Sequence, residues 1–268
     1  NKKLEKIEKK LESISKELYL TFLNSRNELK NYFDEKTLIE WTLNGLKISQ
    51  GSQNALNTGK KFFEISSFLY EKIPRSIFNI WMEKAVLISN DSSSLGYSYL
   101  ISSPSILNVL RPRYLQEWSD MSKNIYTGSW KTNSLASKFM ESSPFLLKTI
   151  SFDDLKNLSD YLNNIAVKSC DLAIQNLEWC KENLSILGKN SSNFIVLLKS
   201  LSNSDWREIN EFFEYLDLNI NKNKIENITY LIQLLLHFEL EKNKLEKLKN
   251  NTDSFYQNQS NIQISDFT

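Results

Sequence analysis

The chain has 268 residues, with 33 basic and 32 acidic side chains interleaved for a formal net charge of +1, so it lacks the concentrated basic face of a nucleic-acid binder. Six glycines and four prolines are few, and Leu, Lys, Glu, Asn and Ser abound, which predicts an all-α fold. No apolar run reaches the ~18 residues that span a bilayer and no signal peptide opens the chain, so a cytoplasmic location is expected.

Leu4, Ile7, Leu11, Ile14 and Leu18 recur three and four residues apart, predicting one amphipathic capping helix within residues 1–36. The Lys-rich opening "NKKLEKIEKK" is balanced by Glu within the same turns and reads as a solvated face. Beginning at Asn1 rather than a methionine, the chain is expected to be one region of a longer protein.

Residues 37–220 carry a repeat. Trp41, Trp81, Trp118 and Leu158 each have an apolar residue three before (Leu38, Phe78, Leu115, Leu155) and an isoleucine seven after (Ile48, Ile88, Ile125, Ile165). Those offsets fall on one helical face, so each marker helix should bury a similar stripe. A second block follows each marker: Phe62-Phe63, Tyr99-Leu100, Phe139-Met140 and Trp179-Cys180, each with an apolar pair seven and eight residues on. A fifth, weaker copy places Trp206, Ile209 and Leu216 in the marker positions. Units of about 40 residues that cannot bury their faces alone are expected to stack as a solenoid-like array.

The string "SSP" occurs at residues 102–104 and 142–144. Proline is cheap at the first helical position and costs about 3 kcal/mol inside a helix, so Ser103 and Ser143 are expected to be N-caps of short Pro-started helices. Each repeat would then hold a long, a medium and a short helix. "SFDD" at 151–154 and "SNSD" at 202–205 have the shape of further helix starts. Residues 221–250 predict a C-terminal amphipathic helix and residues 251–268 a polar tail.

Side chains that could carry chemistry are scarce. Cys170 and Cys180 lack a C-x-x-C context and are expected to be buried thiols, and ten residues apart on one helix they are too distant for a disulfide. His237 is the only histidine, which rules out a His-based metal cluster and favours a packed or hydrogen-bonded role. Trp41, Trp81 and Trp118 lie on the buried stripe and are expected in the core. Arg111 and Arg113 bracket Pro112 at a helix start, where arginines can meet an acidic partner. Trp130 follows Gly128 in a predicted linker, a setting that exposes it. These three are the candidate partner-binding residues.

The stretch "RPRYLQEWSDMSKNIYTGSWKTNSLASKFMESSPFLLKTISFDDLKNLSDYLNNIAVKSCDLA" resembles the helical region preceding the von Willebrand factor A domain in bacterial NorD- and CbbO-like proteins, with the likeness best from Trp81 to Leu216. The resemblance implies a non-catalytic region that works beside a MoxR-type AAA+ ATPase in activating or assembling another enzyme. The metal motif D-x-S-x-S of the A domain is not met: in "NDSSSL" Asp91 and Ser93 fit, but Leu95 stands where the last serine belongs. No metal or cofactor is therefore expected in this chain. A free-standing solenoid adaptor with another protein partner is the alternative. A third reading compares "DDLKN" from Asp153 and "NDSSSLGYS" from Asn90 with the Mg²⁺ motifs of class I terpenoid synthases, but their order is reversed and Ser98 replaces the closing Glu.

Overall fold

A computed structural model describes residues 2–221, 225–233, 235 and 237, and these are mostly helical with no strand among them. The chain divides into two compact units, Asn1–Ser185 and Ile186–Thr268. The repeats expected over 37–220 are split accordingly, with the fifth copy in the second unit.

The first unit opens with α1 (Lys2–Ile14) and α2 (Lys16–Leu29). The single helix expected over residues 1–36 is thus two, because Ser15 adopts an extended conformation and caps α2 by accepting from the Leu18 N–H. Glu8 on α1 reaches Arg26 on α2 at 2.7 Å, so the second helix folds back along the first. Leu4, Ile7, Leu11 and Leu18 are buried, whereas Ile14, beside the break, is exposed.

Then come α3 (Glu35–Ile48), α4 (Gln53–Lys72), α5 (Arg75–Asp91), α6 (Ser93–Leu107), α7 (Leu115–Ile125), α8 (Trp130–Leu146), α9 (Phe152–Lys168) and α10 (Cys170–Leu187). Within the unit α2, α4, α6 and α8 pack in sequence as one row, and α1, α3, α5, α7 and α9 as a second. The even row continues into α10, tied to α8 by Lys131–Asp171 at 2.7 Å and to α9 by Asn176 donating to Tyr161 at 2.8 Å. Each of α2, α4, α6, α8 and α10 starts on a serine whose hydroxyl accepts from the N–H three residues on: Ser15, Ser52, Ser92, Ser129 and Ser169. Such a cap satisfies one of the orphan donors of a helix start.

The marker stripe is the core between the rows. Trp41, Trp81, Trp118 and Leu158 are fully buried, as are Phe78, Leu155, Ile88, Ile125 and Ile165. Leu38 is half-buried. Phe62-Phe63, Tyr99-Leu100 and Phe139-Met140 face the markers from the even row, and Phe62 stacks on Trp81 at 5.3 Å between nearly parallel rings. In the fourth copy the stripe shifts, with Leu187 buried and Ile186 exposed.

The serine–proline strings do not start helices. Pro104 lies inside the last turn of α6 and Pro144 inside that of α8, so each repeat has two helices and no third. Ser103 donates to the Tyr99 carbonyl at 2.7 Å and accepts from the Trp81 indole N–H at 3.0 Å. Those bonds hold it helical against the bias that a following proline imposes. Ser143 donates likewise to the Phe139 carbonyl at 2.6 Å. Beyond each proline Ile106 and Leu146 still sink into the core, and their burial outweighs one missing helical bond near a C-terminus. Prolines open elements elsewhere: Pro74 is the N-cap of α5, and Pro112 begins a single 3₁₀ turn, Pro112–Tyr114.

Of the acid-containing starts, Ser151 and Asp154 form a complete capping box on α9. In the second unit, α11 (Ser191–Leu201) is followed by α12 (Trp206–Asn221), and the expected start at Ser202 moves to Asp205, whose carboxylate accepts from the Arg207 N–H at 2.8 Å. Ser202 instead ends α11, donating to the Lys199 carbonyl at 2.7 Å. Ile209 and Leu216 are buried, while Trp206 is exposed. Residues 225–233 are helical; most of the helix expected over 221–250 and the tail expected over 251–268 lie outside the described residues.

Candidate interaction surface

The even row turns its buried pairs toward the markers, and the polar positions just before them are half-buried or exposed except Ser98, which is buried. One residue before each pair stand Lys61, Ser98, Lys138 and Glu178, and two before stand Lys60, Tyr97 and Ser137. Where α4, α6 and α8 run side by side, Lys60, Lys61, Tyr97, Ser98 and Ser137 line a groove of ≈ 630 Å³. Its walls carry Asn54 and Asn57 from α4, Ser94 and Tyr97 from α6, and Asn133 and Ser137 from α8.

The charges here are matched within the protein. Lys60 pairs with Glu17 at 2.9 Å, Lys61 pairs with Glu64 on its own helix, and Glu141 accepts from Ser98 at 2.7 Å. Lys138 pairs with Glu178, whose carboxyl is held below its usual range by that hydrogen bond. Asn133 accepts from Ser92 and donates to Ser94, both at 2.7 Å, locking α8 to the start of α6. The Ser137 hydroxyl oxygen is buried without a partner. A smaller groove of ≈ 500 Å³ continues between α6 and α8, where Val109 and Phe145 are exposed beside Lys148.

The residues singled out from sequence lie elsewhere. Arg111 and Arg113 are exposed on the turn before α7, and Arg113 donates to the Tyr114 hydroxyl at 2.7 Å while lying over its ring. Trp130 is 76% exposed at the start of α8, with Lys131 against its ring. The length of α7, about 16 Å at 1.5 Å per residue, separates the arginines from the tryptophan, so the three do not converge.

Cys180 is buried and its thiol is pushed up by desolvation. Cys170, expected to be buried, is half-buried because it opens α10 at the edge of the unit. His237 is exposed on its helix rather than packed. Asp154 is absorbed in the α9 capping box and Asp153 is exposed beside it. Asp91 pairs with Lys123 at 3.0 Å, and the Ser93 carbonyl accepts from Thr58 at 2.8 Å. Among the described residues no three His, Cys, Asp or Glu side chains gather as a metal site, and no helix is long and apolar enough to cross a membrane.

Compared with protein-family models, curated proteins and solved structures, the chain matches none. The apolar repeat of the sequence does not mark the groove residues, which occupy polar positions between its members. Of the polar positions just before the apolar pairs, Lys61 and Ser98, 37 residues apart, line the groove, and their recurrence is the signal for this face that the sequence carries.

Proposed function

We propose that the chain is a non-catalytic helical scaffold, a solenoid-like array of about 40-residue repeats that binds a partner protein on the outer face of its even helices. One observation carries the reading: polar cross-links join neighbouring helices of a row about one repeat apart. Lys131–Asp171 and Lys138–Glu178 are each 40 residues apart, Lys156–Glu117 39, Arg75–Asp34 41 and Lys60–Glu17 43. A stack of units contacting mainly their neighbours has this pattern, and its extended face suits protein recognition.

The first partner to test is a MoxR-type AAA+ ATPase, as the resemblance over residues 81–216 suggests. The purified chain would be titrated calorimetrically with such an ATPase from the same source. Saturable binding supports a MoxR-associated scaffold. No heat at concentrations well above micromolar removes that partner and leaves the adaptor alternative. Mg²⁺-dependent release of diphosphate from a prenyl diphosphate would sink the non-catalytic reading altogether.

A further inference from the structure

From the make-up of the α4–α6–α8 groove we infer that its ligand is an extended, uncharged polypeptide segment of the partner, held mainly by its backbone. This rests on the scaffold reading and adds the chemistry of what the scaffold grips. Three features carry it. First, the charged side chains lining the groove, Lys60, Lys61 and Glu64, are already paired through Lys60–Glu17 and Lys61–Glu64, so a charged ligand would compete with existing bonds instead of finding a vacant counter-charge.

Second, the remaining lining is amide and hydroxyl. The exposed side chains of Asn54 and Asn57 make no hydrogen bond within the described residues, and Asn133 keeps one donor and one acceptor site beyond its bonds to Ser92 and Ser94. A side-chain amide offers the donor–acceptor pair of a peptide group, so it can bond an extended backbone as a neighbouring strand does. The buried Ser137 hydroxyl is a further group awaiting a partner.

Third, the dimensions fit. Helices in a row lie about 8–10 Å apart, so the crossing from α4 to α8 is roughly 18 Å, the reach of five or six extended residues. Tyr97, 37% exposed between the asparagines, gives such a segment one ring to pack on. A glycan would share the hydrogen-bonding chemistry, but sugar rings favour several aromatic faces and this groove has Tyr97 alone.

The test pans the full chain against a displayed library of random linear peptides. Recovered binders are resynthesised with alternate backbone amides N-methylated, and affinity is read by fluorescence anisotropy. N-methylation should weaken binding by about tenfold or more, and so should the double substitution Asn57→Ala/Tyr97→Ala, each removing a few hydrogen bonds or contacts. Both positions are surface-facing, and circular dichroism of the variant checks that it keeps its fold. Equal affinity of methylated and unmethylated peptide overturns the inference, as does indifference to the double substitution, recovery of no binder, or saturable binding of an oligosaccharide in place of peptides. An ATPase that binds unchanged to the Asn57→Ala/Tyr97→Ala chain also overturns it while the scaffold reading stands. A groove that takes peptide while the ATPase does not bind supports the inference and removes only the named partner.

Discussion

The indole N–H of Trp41 donates to the Ser66 hydroxyl at 2.8 Å, and that hydroxyl in turn donates to the Phe62 carbonyl at 2.6 Å. One repeat on, Trp81, Ser103 and Tyr99 form the same relay. In the third copy Ser143 still donates to Phe139, but the buried Trp118 N–H has no acceptor. In the fourth, tryptophan and serine are both gone: Leu158 is the marker, and Asn183 donates to the Trp179 carbonyl at 3.0 Å. A buried donor left without its acceptor, as at Trp118, costs about 1–3 kcal/mol.

The relay predicts unequal costs for one substitution. Trp41→Phe and Trp81→Phe each lose a buried hydrogen bond besides ring volume, whereas Trp118→Phe loses volume and relieves an orphan donor. Trp118→Phe should therefore be milder by about 1 kcal/mol. Urea unfolding of the three variants reads this directly, and equal midpoint shifts would refute the relay. A double-mutant cycle should likewise couple Trp81 to Ser103 and leave Trp118 uncoupled from Ser143.

Truncation at the same marker tests burial itself. Trp118 is fully buried and packs on Tyr99 at 5.6 Å between ring centroids, so Trp118→Ala should cost about 3–5 kcal/mol. A loss below about 1 kcal/mol by denaturant titration would show that it is not a core residue.

Gly59 and Gly96 occupy equivalent repeat positions 37 residues apart, and each lies against a serine of the preceding odd helix. A Cβ on Gly96 would stand 2.2 Å from the Ser89 hydroxyl and 2.9 Å from its Cα, so the two helix backbones must separate to admit it. Gly96→Ala should cost about 1–3 kcal/mol by overpacking. The next copy has Ala136 in this place, fully buried, so the demand is local to the pairing with serine. Thermal melts of Gly96→Ala and Gly59→Ala decide it, and unchanged midpoints would count against the close approach.

The two adjacent aspartates of α9 should behave differently. Ser151→Ala removes a hydroxyl that caps the helix, at about 0.5–2 kcal/mol, and Asp154→Ala should match it by removing the other half of the box. Asp153→Ala, at an exposed position, should stay within about 0.5 kcal/mol. Chemical denaturation separates these outcomes, and a large effect confined to Asp153 would reopen a role for it outside the fold.

Alkali should unfold the first unit. Burial pushes the Tyr99 and Tyr161 hydroxyls well above their ordinary 10.0, so both stay protonated in the folded chain at a pH where the unfolded chain would release them. Stability is complete below that ordinary value and falls as pH rises past it toward the folded values. Phenolate absorbance from these two should therefore appear only with the loss of helical circular dichroism. Phenolate formation in step with the exposed tyrosines would contradict their burial.

By itself the sequence determined the all-α class, the 37- and 40-residue steps and the burial of Trp41, Trp81 and Trp118, because period and apolarity are properties of the chain alone. It also marked the Ser151–Asp154 box, whose bonds are local. The fate of Ser103-Pro104 and Ser143-Pro144 was decided in three dimensions: a local rule reads proline as a helix start, but burial of Ile106 and Leu146 draws the helix past it, and Ser103 is needed under Trp81. The break at Ser15 belongs with these, since an unbroken helix could not have brought Arg26 back to Glu8. The groove on α4, α6 and α8 likewise exists only where three helices lie side by side, and only their packing turns scattered Asn, Ser and Lys into one neutral surface.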